Sequence, residues 1–269
     1  MAVALAVAGP AGSAPRFGAH TDPEAGDVVR HALVVARGAA SRADDAADAP
    51  HECRDGAYEF DAGTFRLEET FTYSFIASST PPNLNVENTE AAVQASIGNW
   101  AQVRNACGFA DDVLIRSEYA GRSFGWVEIT DDGDCKDSSD GRSETGFGPL
   151  PSDLVAVACI WLGDAPGPPY PVASADVRLN RTLGWSNQAD ECTGRRYLVE
   201  AALTHERGHV LGLSHHKRLT EAAHGNLTMS PNLNGFCNDA ETTLGRGDVL
   251  GLRARGYAMP VTARRRPAS

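Results

Sequence analysis

Hydrophobic positions in the middle of the chain follow first the period of a strand and then that of a helix. Phe71, Tyr73 and Phe75 alternate with polar residues, which predicts a strand that ends before Pro81. A helix is predicted next, over about residues 90–106, with Thr89 as its N-cap. Its apolar residues recur along one face and are expected to lie in the core: Val93, Ile97, Trp100 and Val103.

Short apolar runs follow, together with two further helical periods. The uninterrupted apolar run 155–161 is typical of a buried strand. Shorter strands are predicted at 113–116, 124–129 and 177–180, and helices at about 195–211 and 246–255. The pattern therefore predicts an α+β fold with about three helices, in one folded domain over residues 53–258.

The helix predicted over 195–211 has two different faces. One face is apolar and is expected to pack on the sheet, and it carries Val199, Leu203 and Val210. The other face is expected to be polar, and it carries Glu200, Thr204 and Arg207.

The two ends of the chain differ from this domain in composition. Residues 1–14 are apolar and end in small residues, as a signal peptide does. Residues 15–52 contain few large apolar groups, which predicts disorder or a short propeptide, with His20, His31 and His51 as incidental residues. Residues 259–269 form a small basic tail.

Charge and cysteine content narrow the class of protein and its compartment. The formal charge of −11 argues against nucleic acid or an anionic membrane as a partner, and no run is long enough to span a bilayer. Six cysteines without a C-x-x-C pair predict three disulfides, hence a secreted, extracellular protein. Fifteen pairings are possible.

The strongest chemical signal lies at residues 205–215, which read H-E-x-x-H-x-x-G-x-x-H. On a helix, His205 and His209 project from one face about one turn apart, so both nitrogens can reach one zinc ion. Glu206 lies about 100° further round, where its carboxylate can reach a metal-bound water without being a ligand. Gly212 permits a sharp turn that brings back His215 as third ligand. The fourth position stays open, as in a catalytic zinc site.

Two other interpretations of the motif remain. Surface histidines without a metal could produce the pattern, but five fixed positions rarely arise by chance. A purely structural zinc site would need a fourth protein ligand and would leave Glu206 without a purpose.

These residues resemble the metzincin metallopeptidases, which join this extended motif to a downstream methionine turn. Here that turn would be 227–231, with Met229. Residues 205–257 are similar to actinobacterial secreted matrixin-type proteins, which share the T-M-S turn, a following cysteine (Cys237) and the closing segment 244–252. The resemblance is looser back to Cys53, where 174–180 is similar to the family's substrate-side edge strand.

The resemblance implies a metzincin-type catalytic domain with a twisted mixed sheet and a zinc cleft between the active-site helix and the methionine turn. It also implies roles for single residues. His205, His209 and His215 would bind Zn²⁺, and Glu206 would be the general base. Met229 would form the apolar floor below the metal, and Pro231 would line the pocket for the residue after the scissile bond. Leu233 stands where matrixins have a tyrosine, so the pocket wall departs from the family. The chain has no P-R-C-G-x-P-D string, so a cysteine switch is not expected.

Three smaller predictions concern the surroundings of the motif. Cys192 is expected to pair with Cys237, because the two flank the motif and would clamp its helix to the methionine-turn segment. His216 is expected to be exposed, because it points away from His215. An acidic loop could bind Ca²⁺, although a solvated loop is the preferred interpretation; it contains Asp131, Asp132, Asp134, Asp137 and Asp140 with Gly133 and Gly141.

The sequence thus predicts a secreted, monomeric zinc endopeptidase. Its substrate is expected to be an extended polypeptide that adds as a strand near residues 177–180. Two alternatives stay open: a secreted zinc-binding protein without catalysis, and a zinc hydrolase of a non-protein amide.

Overall fold

The computed structural model describes residues 26–34, 51–60, 65–216, 227–231, 233 and 235–260. The predicted signal peptide at 1–14 and most of the basic tail at 259–269 lie outside these residues.

The described residues form a mixed α+β fold, as the sequence predicted. The strands are β1 (Val28–Val34), β2 (Glu59–Phe60), β3 (Phe65–Arg66), β4 (Phe71–Phe75), β5 (Ser117–Arg122), β6 (Glu144–Gly148), β7 (Leu154–Leu162), β8 (Tyr170–Asn180), β9 (Trp185–Ser186), β10 (Tyr197–Leu198) and β11 (Leu213–Ser214). The helices are α1 (His51–Arg54), α2 (Val86–Ala101), α3 (Val199–Val210) and α4 (Arg246–Leu252), and a π-helical turn, Arg253–Tyr257, follows α4.

The main sheet is mixed and has the strand order β1-β7-β8-β6-β4-β5, with β3 beside the first part of β8. Strands β8, β6, β4 and β5 run parallel to one another. Strand β7 is antiparallel to β8, and β1 is antiparallel to β7. Every residue of β7 is buried, in agreement with its uninterrupted apolar run. Without β1, β7 would be the edge of the sheet.

Helix α2 supports α3 through a buried contact that combines packing and hydrogen bonds. The indole Nε1 of Trp100 donates to the Thr204 carbonyl at 2.7 Å, and Asn99 Nδ2 donates to Thr204 Oγ1 at 3.0 Å. The predicted stripe of α2 lies in the core, because Val93, Ile97, Trp100 and Val103 are all buried. The helix begins earlier than predicted, however, with Asn85 as its N-cap in place of Thr89, since the Asn85 side chain accepts from Asn88 N.

Three predictions about elements are wrong. Residues 113–116 and 124–129 form isolated bridges only, from Val113 to Ala258 and from Ile129 to Cys135, and the strand between them is β5. The predicted polar face of α3 is buried instead. Thr204 and Arg207 have no exposed surface, because this side of the helix packs on α2 and the sheet.

The prediction that residues 177–180 form the edge strand is also wrong. These residues are the end of β8 and pair with β6 on one side and β7 on the other. Pattern analysis missed the outermost strand, β1, because the composition of 15–52 predicted disorder or a propeptide. Disorder is wrong for Val28–Val34, which pair with β7 along their whole length.

Three disulfides join the six cysteines, and one of them is the predicted pair Cys192–Cys237. The others are Cys53–Cys107 and Cys135–Cys159. Such a set is typical of an oxidising, extracellular compartment. Among the described residues, no helix is long and apolar enough to cross a membrane.

We expect Trp100→Phe to lower the free energy of unfolding by about 1–3 kcal/mol, because the Thr204 carbonyl loses its buried donor and the core loses volume. Urea unfolding measures the change. The control is Trp126→Phe, since Trp126 is 66% exposed and should change stability by less than about 0.5 kcal/mol. Equal effects of the two variants would contradict the role assigned to Trp100.

Candidate metal centre

Helix α3 carries two of the three candidate ligands, His205 and His209, and both are fully buried. The helix lies between the sheet and α2, which buries every residue of it except the partly exposed Glu200. It starts directly after β10, with Leu198 as its N-cap, and ends at Leu211, whose N–H bonds to the Arg207 carbonyl. The predicted start at residue 195 was too early, because Tyr197 and Leu198 pair with β9.

Gly212 makes the turn that brings the third ligand back to the helix. Its φ is +84°, a conformation that side chains rarely adopt. There is also no room for a side chain, because an added Cβ would lie 2.6 Å from Arg255 Nε and 2.7 Å from the Phe65 carbonyl oxygen. Strand β11 follows, pairs with β2 and leads to His215. The role predicted for Gly212 is confirmed.

The three imidazoles converge on one point. The Nε2 atom of His205 lies 2.9 Å from that of His215, and the Nε2 atom of His209 lies 3.1 Å from each of the other two. Zinc binds imidazole at about 2.0–2.1 Å, which sets ligand nitrogens about 3.3 Å apart in a tetrahedral site. The observed separations are a few tenths of an ångström shorter, so one metal ion can contact all three nitrogens.

Hydrogen bonds on the far side of two rings orient them for this task. The Nδ1–H of His205 donates to the Thr228 carbonyl at 2.6 Å, and that of His209 donates to the Leu213 carbonyl at 2.8 Å. These bonds leave the Nε2 lone pairs directed at each other, an arrangement that a cation between them stabilises. Carbonyl acceptors of this kind commonly hold metal-binding histidines in place.

Burial keeps all three rings neutral. It lowers the pKa of His205 to about 3 and holds the pKa values of His209 and His215 well below their usual value. Neutral imidazole is the form that binds a metal. The donor set, the convergence and the neutrality therefore fit a divalent metal ion, and imidazole ligands suit several transition metals.

Glu206 lies in the same interior with an unusual environment. It has no exposed surface, and neither carboxylate oxygen has a hydrogen-bond partner among the described residues. Burial raises its pKa well above the usual value, whereas the charges of Arg207 and Arg30 lower it. A buried carboxyl without a partner is costly for stability, so a function or a further ligand accounts for it better than packing does.

Arg207 follows Glu206 and is also fully buried. Its guanidinium donates to Thr145 Oγ1 at 2.6 Å and lies 5.1 Å and 5.2 Å from the ring centres of Phe71 and Tyr73. Burial lowers its pKa to about 10, so it remains a cation at neutral pH. This charge partly offsets that of Glu206 inside the fold.

Met229, in the predicted methionine turn, lies against α3. An added Cβ on Gly208 would collide with Met229 Sδ and would lie 2.7 Å from Trp100 Cζ2. The same segment carries Thr228, whose carbonyl holds His205 and whose N–H donates to Asp248 Oδ2 at 3.3 Å. Asp248 also accepts from Gly245 N at the start of α4, which fixes the segment to that helix.

Pro231 and Leu233, the predicted pocket residues, follow Met229 in the chain, and both are buried. The Pro231 carbonyl accepts from Val34 N at 3.3 Å, and Leu233 belongs to the core cluster that also contains Leu33. The structure thus places both residues beside β1.

Two histidines near the ligands differ from their predictions. His31 is not incidental, because its ring stacks on His209 with centroids 3.9 Å apart and planes 10° apart. The valines and the leucine around it favour a strand, but the overall composition of residues 15–52 led to the prediction of disorder or a propeptide. His216 is buried instead of exposed, with 3% of its surface accessible.

The acidic loop does not gather its carboxylates around one point. Asp131 pairs with Arg178 at 2.8 Å, and Asp134 pairs with Arg30 at 3.8 Å. Within the described residues, the three histidines are the only group of three or more side chains that could hold a metal ion. Calcium binding stays a prediction.

Comparisons of the chain with protein-family models and with curated proteins found no match. The interpretation of the site therefore depends on its own residues and geometry.

We expect Gly208→Ala to lower the free energy of unfolding by about 1–3 kcal/mol, because the added methyl group forces Met229 and Trp100 apart from α3. Metal affinity should fall as well, since the shift moves the neighbouring ligand His209. Urea unfolding and competition with a chromogenic chelator measure the two effects.

Gly98→Ala, on α2, is the matched control for that variant. The nearest atom to its added Cβ is Gln102 Nε2 at 3.9 Å, and alanine favours a helix over glycine. It should leave metal affinity unchanged and raise stability by up to about 1 kcal/mol. A Gly208→Ala protein with unchanged stability and affinity would show that the close contact with Met229 is not needed.

Proposed function

We propose that the protein is a secreted zinc-dependent endopeptidase of the metzincin type. The observation that carries the proposal is the meeting of three neutral imidazoles at one point, two of them fully buried and that of His215 partly exposed. The carboxylate of Glu206, which has no partner among the described residues, lies on the same helix as the two buried imidazoles. The glycine turn at 212 and the methionine packed against α3 support the metzincin type.

The residues that would hold zinc are His205, His209 and His215. Bound there, zinc would supply a Lewis acid that polarises a peptide carbonyl and lowers the pKa of water. Three protein ligands leave a fourth position for reactants, which distinguishes a catalytic site from a closed structural one. No further metal-binding side chain joins the three among the described residues, which supports the catalytic alternative.

Glu206 is the proposed general base. Its carboxylate would accept the proton of the attacking water and then deliver it to the leaving amine. Its environment suits this role, because burial raises the pKa towards the range in which a carboxylate both accepts and releases a proton. Both oxygens are without a partner among the described residues, so neither is committed to a structural hydrogen bond.

The proposed substrate is an extended polypeptide that pairs with the edge of the sheet. The outermost strand on this side is β1, so the strand that a substrate would pair with in place of β1 is β7, and not residues 177–180. It is the strand nearest to α3 on this side of the sheet, and a peptide added there would receive main-chain hydrogen bonds. This pairing favours a polypeptide over a small amide as substrate.

The test is hydrolysis of casein by the purified chain loaded with Zn²⁺. We expect Glu206→Gln to lower turnover by at least about 100-fold while one zinc per chain stays bound, because the ligands are intact and only the base is lost. 1,10-Phenanthroline should abolish the activity of the unchanged protein. Metal content is measured alongside the rate.

Glu200→Gln is the matched control, since Glu200 is on the same helix but bonds to Asn99 and Arg104. It should retain most of its activity. Bound zinc with no cleavage in any variant would favour the zinc-binding protein without catalysis, and cleavage of small acyl-amides alone would favour the non-protein hydrolase. A Glu206→Gln protein that retains most of its activity would refute the mechanism.

A further inference from the structure

Strand β1 covers the edge where a substrate would have to pair. It runs antiparallel to β7, with Val28 opposite Trp161, His31 opposite Ala158 and Leu33 opposite Ala156. The ladder continues beyond the strand, because Gly26 N donates to the Leu162 carbonyl at 3.1 Å. The only long edge beside the candidate metal centre, within the described residues, is therefore occupied by the chain itself.

The far end of β1 is held from the opposite side. Val34 N donates to the carbonyl of Pro231, the residue predicted to line the pocket. The end of the segment at Val34 thus lies between β7 on one side and the methionine-turn segment on the other. This is the position of a peptide in a cleft, and it differs from that of an ordinary outer strand, which has a partner on one side only.

The side chains of β1 are arranged as a peptide's would be in such a cleft. Leu33 is completely buried in the main core cluster, which also contains Leu203 of α3 and Leu233. His31 and Leu33 lie on the same face, because they are two residues apart in a strand. Arg30, on the other face, donates to the Gly133 carbonyl and pairs with Asp134 at 3.8 Å.

His31 brings the segment over the candidate metal ligands. Its ring stacks on His209 at 3.9 Å and meets His215 edge to face at 6.4 Å. A substrate cannot reach the same surface of these rings while His31 lies there. Pairing, side-chain burial and ring stacking therefore coincide over four consecutive residues, 31–34.

We propose that residues 28–34 are an intramolecular occupant of the substrate position, which competes with substrate for the edge of β7 and so slows hydrolysis by the intact chain. The proposal rests on the proposed function for the identity of the site.

The test uses the full chain with Leu33→Asp, which places a charge in the apolar core and should expel β1. The control is Leu114→Asp, because Leu114 is 48% exposed and lies outside this strand. Both are made in the Glu206→Gln background, loaded with Zn²⁺, so that binding is measured without cleavage. The probe is a fluorescent peptide of residues 26–36, GDVVRHALVVA.

We expect the peptide to bind the Leu33→Asp protein at least tenfold more tightly than the Leu114→Asp protein. Hydrogen exchange of the Ala156 and Ala158 amides, which lie on the β1-facing side of β7 as Leu162 N does, should be at least tenfold faster in the former and should slow again when the peptide is added. A peptide with aspartate at the position of Leu33 should not bind. With Glu206 restored, Leu33→Asp should raise casein hydrolysis at least tenfold over Leu114→Asp.

The outcomes separate the two proposals. Peptide binding and exposed β7 amides without any hydrolysis would support the occupant and refute the endopeptidase. Unchanged exchange at Ala156 and Ala158, or no peptide binding to a folded Leu33→Asp protein, would refute the occupant. If Leu33→Asp does not fold, Leu33→Ala replaces it, and loss of cooperative unfolding in both would show that β1 is an integral strand and overturn the proposal.

Discussion

The burial of most of helix α3 is the constraint on which the rest of the structure depends. A helix that carries two imidazoles, a carboxylate and a guanidinium cannot be taken out of water unless its polar groups find partners. Thr228 and Leu213 supply carbonyls for two rings, and Thr145 supplies an acceptor for Arg207. The close approach of the surroundings in turn excludes a side chain at Gly208 and Gly212. Neither oxygen of Glu206 has a partner among the described residues, and Nε and Nη1 of Arg207 lack one as well, so part of the cost of burial falls on these two neighbouring residues.

The sequence predicted those features that depend on local spacing. Residues 205, 209 and 215 converge because a helical turn and a glycine with positive φ follow directly from their positions. The stripe from Val93 to Val103 and the run in β7 were recognised for the same reason, since a period of 3.6 or a continuous apolar segment is visible in one stretch of chain. The pair Cys192–Cys237 was identified from its position on either side of the motif.

Features that depend on pairing between distant segments could not be predicted in this way. Residues 177–180 have the composition of a strand, but whether a strand is interior or at the edge depends on β6 and β7. Arg207 appeared to belong to a polar face because the rings of Phe71 and Tyr73 that cover it are more than a hundred residues away. The strand signal of Val28–Val34 was outweighed by the composition of the residues around it, and its partner β7 lies far along the chain.

The pairing of β1 with β7 joins two parts of one chain, and this has a consequence for any competitor. A tethered segment meets its partner at an effective concentration that is of millimolar order for short flexible connections and that does not change when the protein is diluted. A free peptide that displaces β1 must be present above this effective concentration. At a lower concentration, it must bind the edge of β7 correspondingly more tightly than β1 does. Access to the edge therefore depends on events within a single molecule. Cleavage of the chain beyond Val34 would convert β1 into a separate peptide, which dissociates when the protein is diluted.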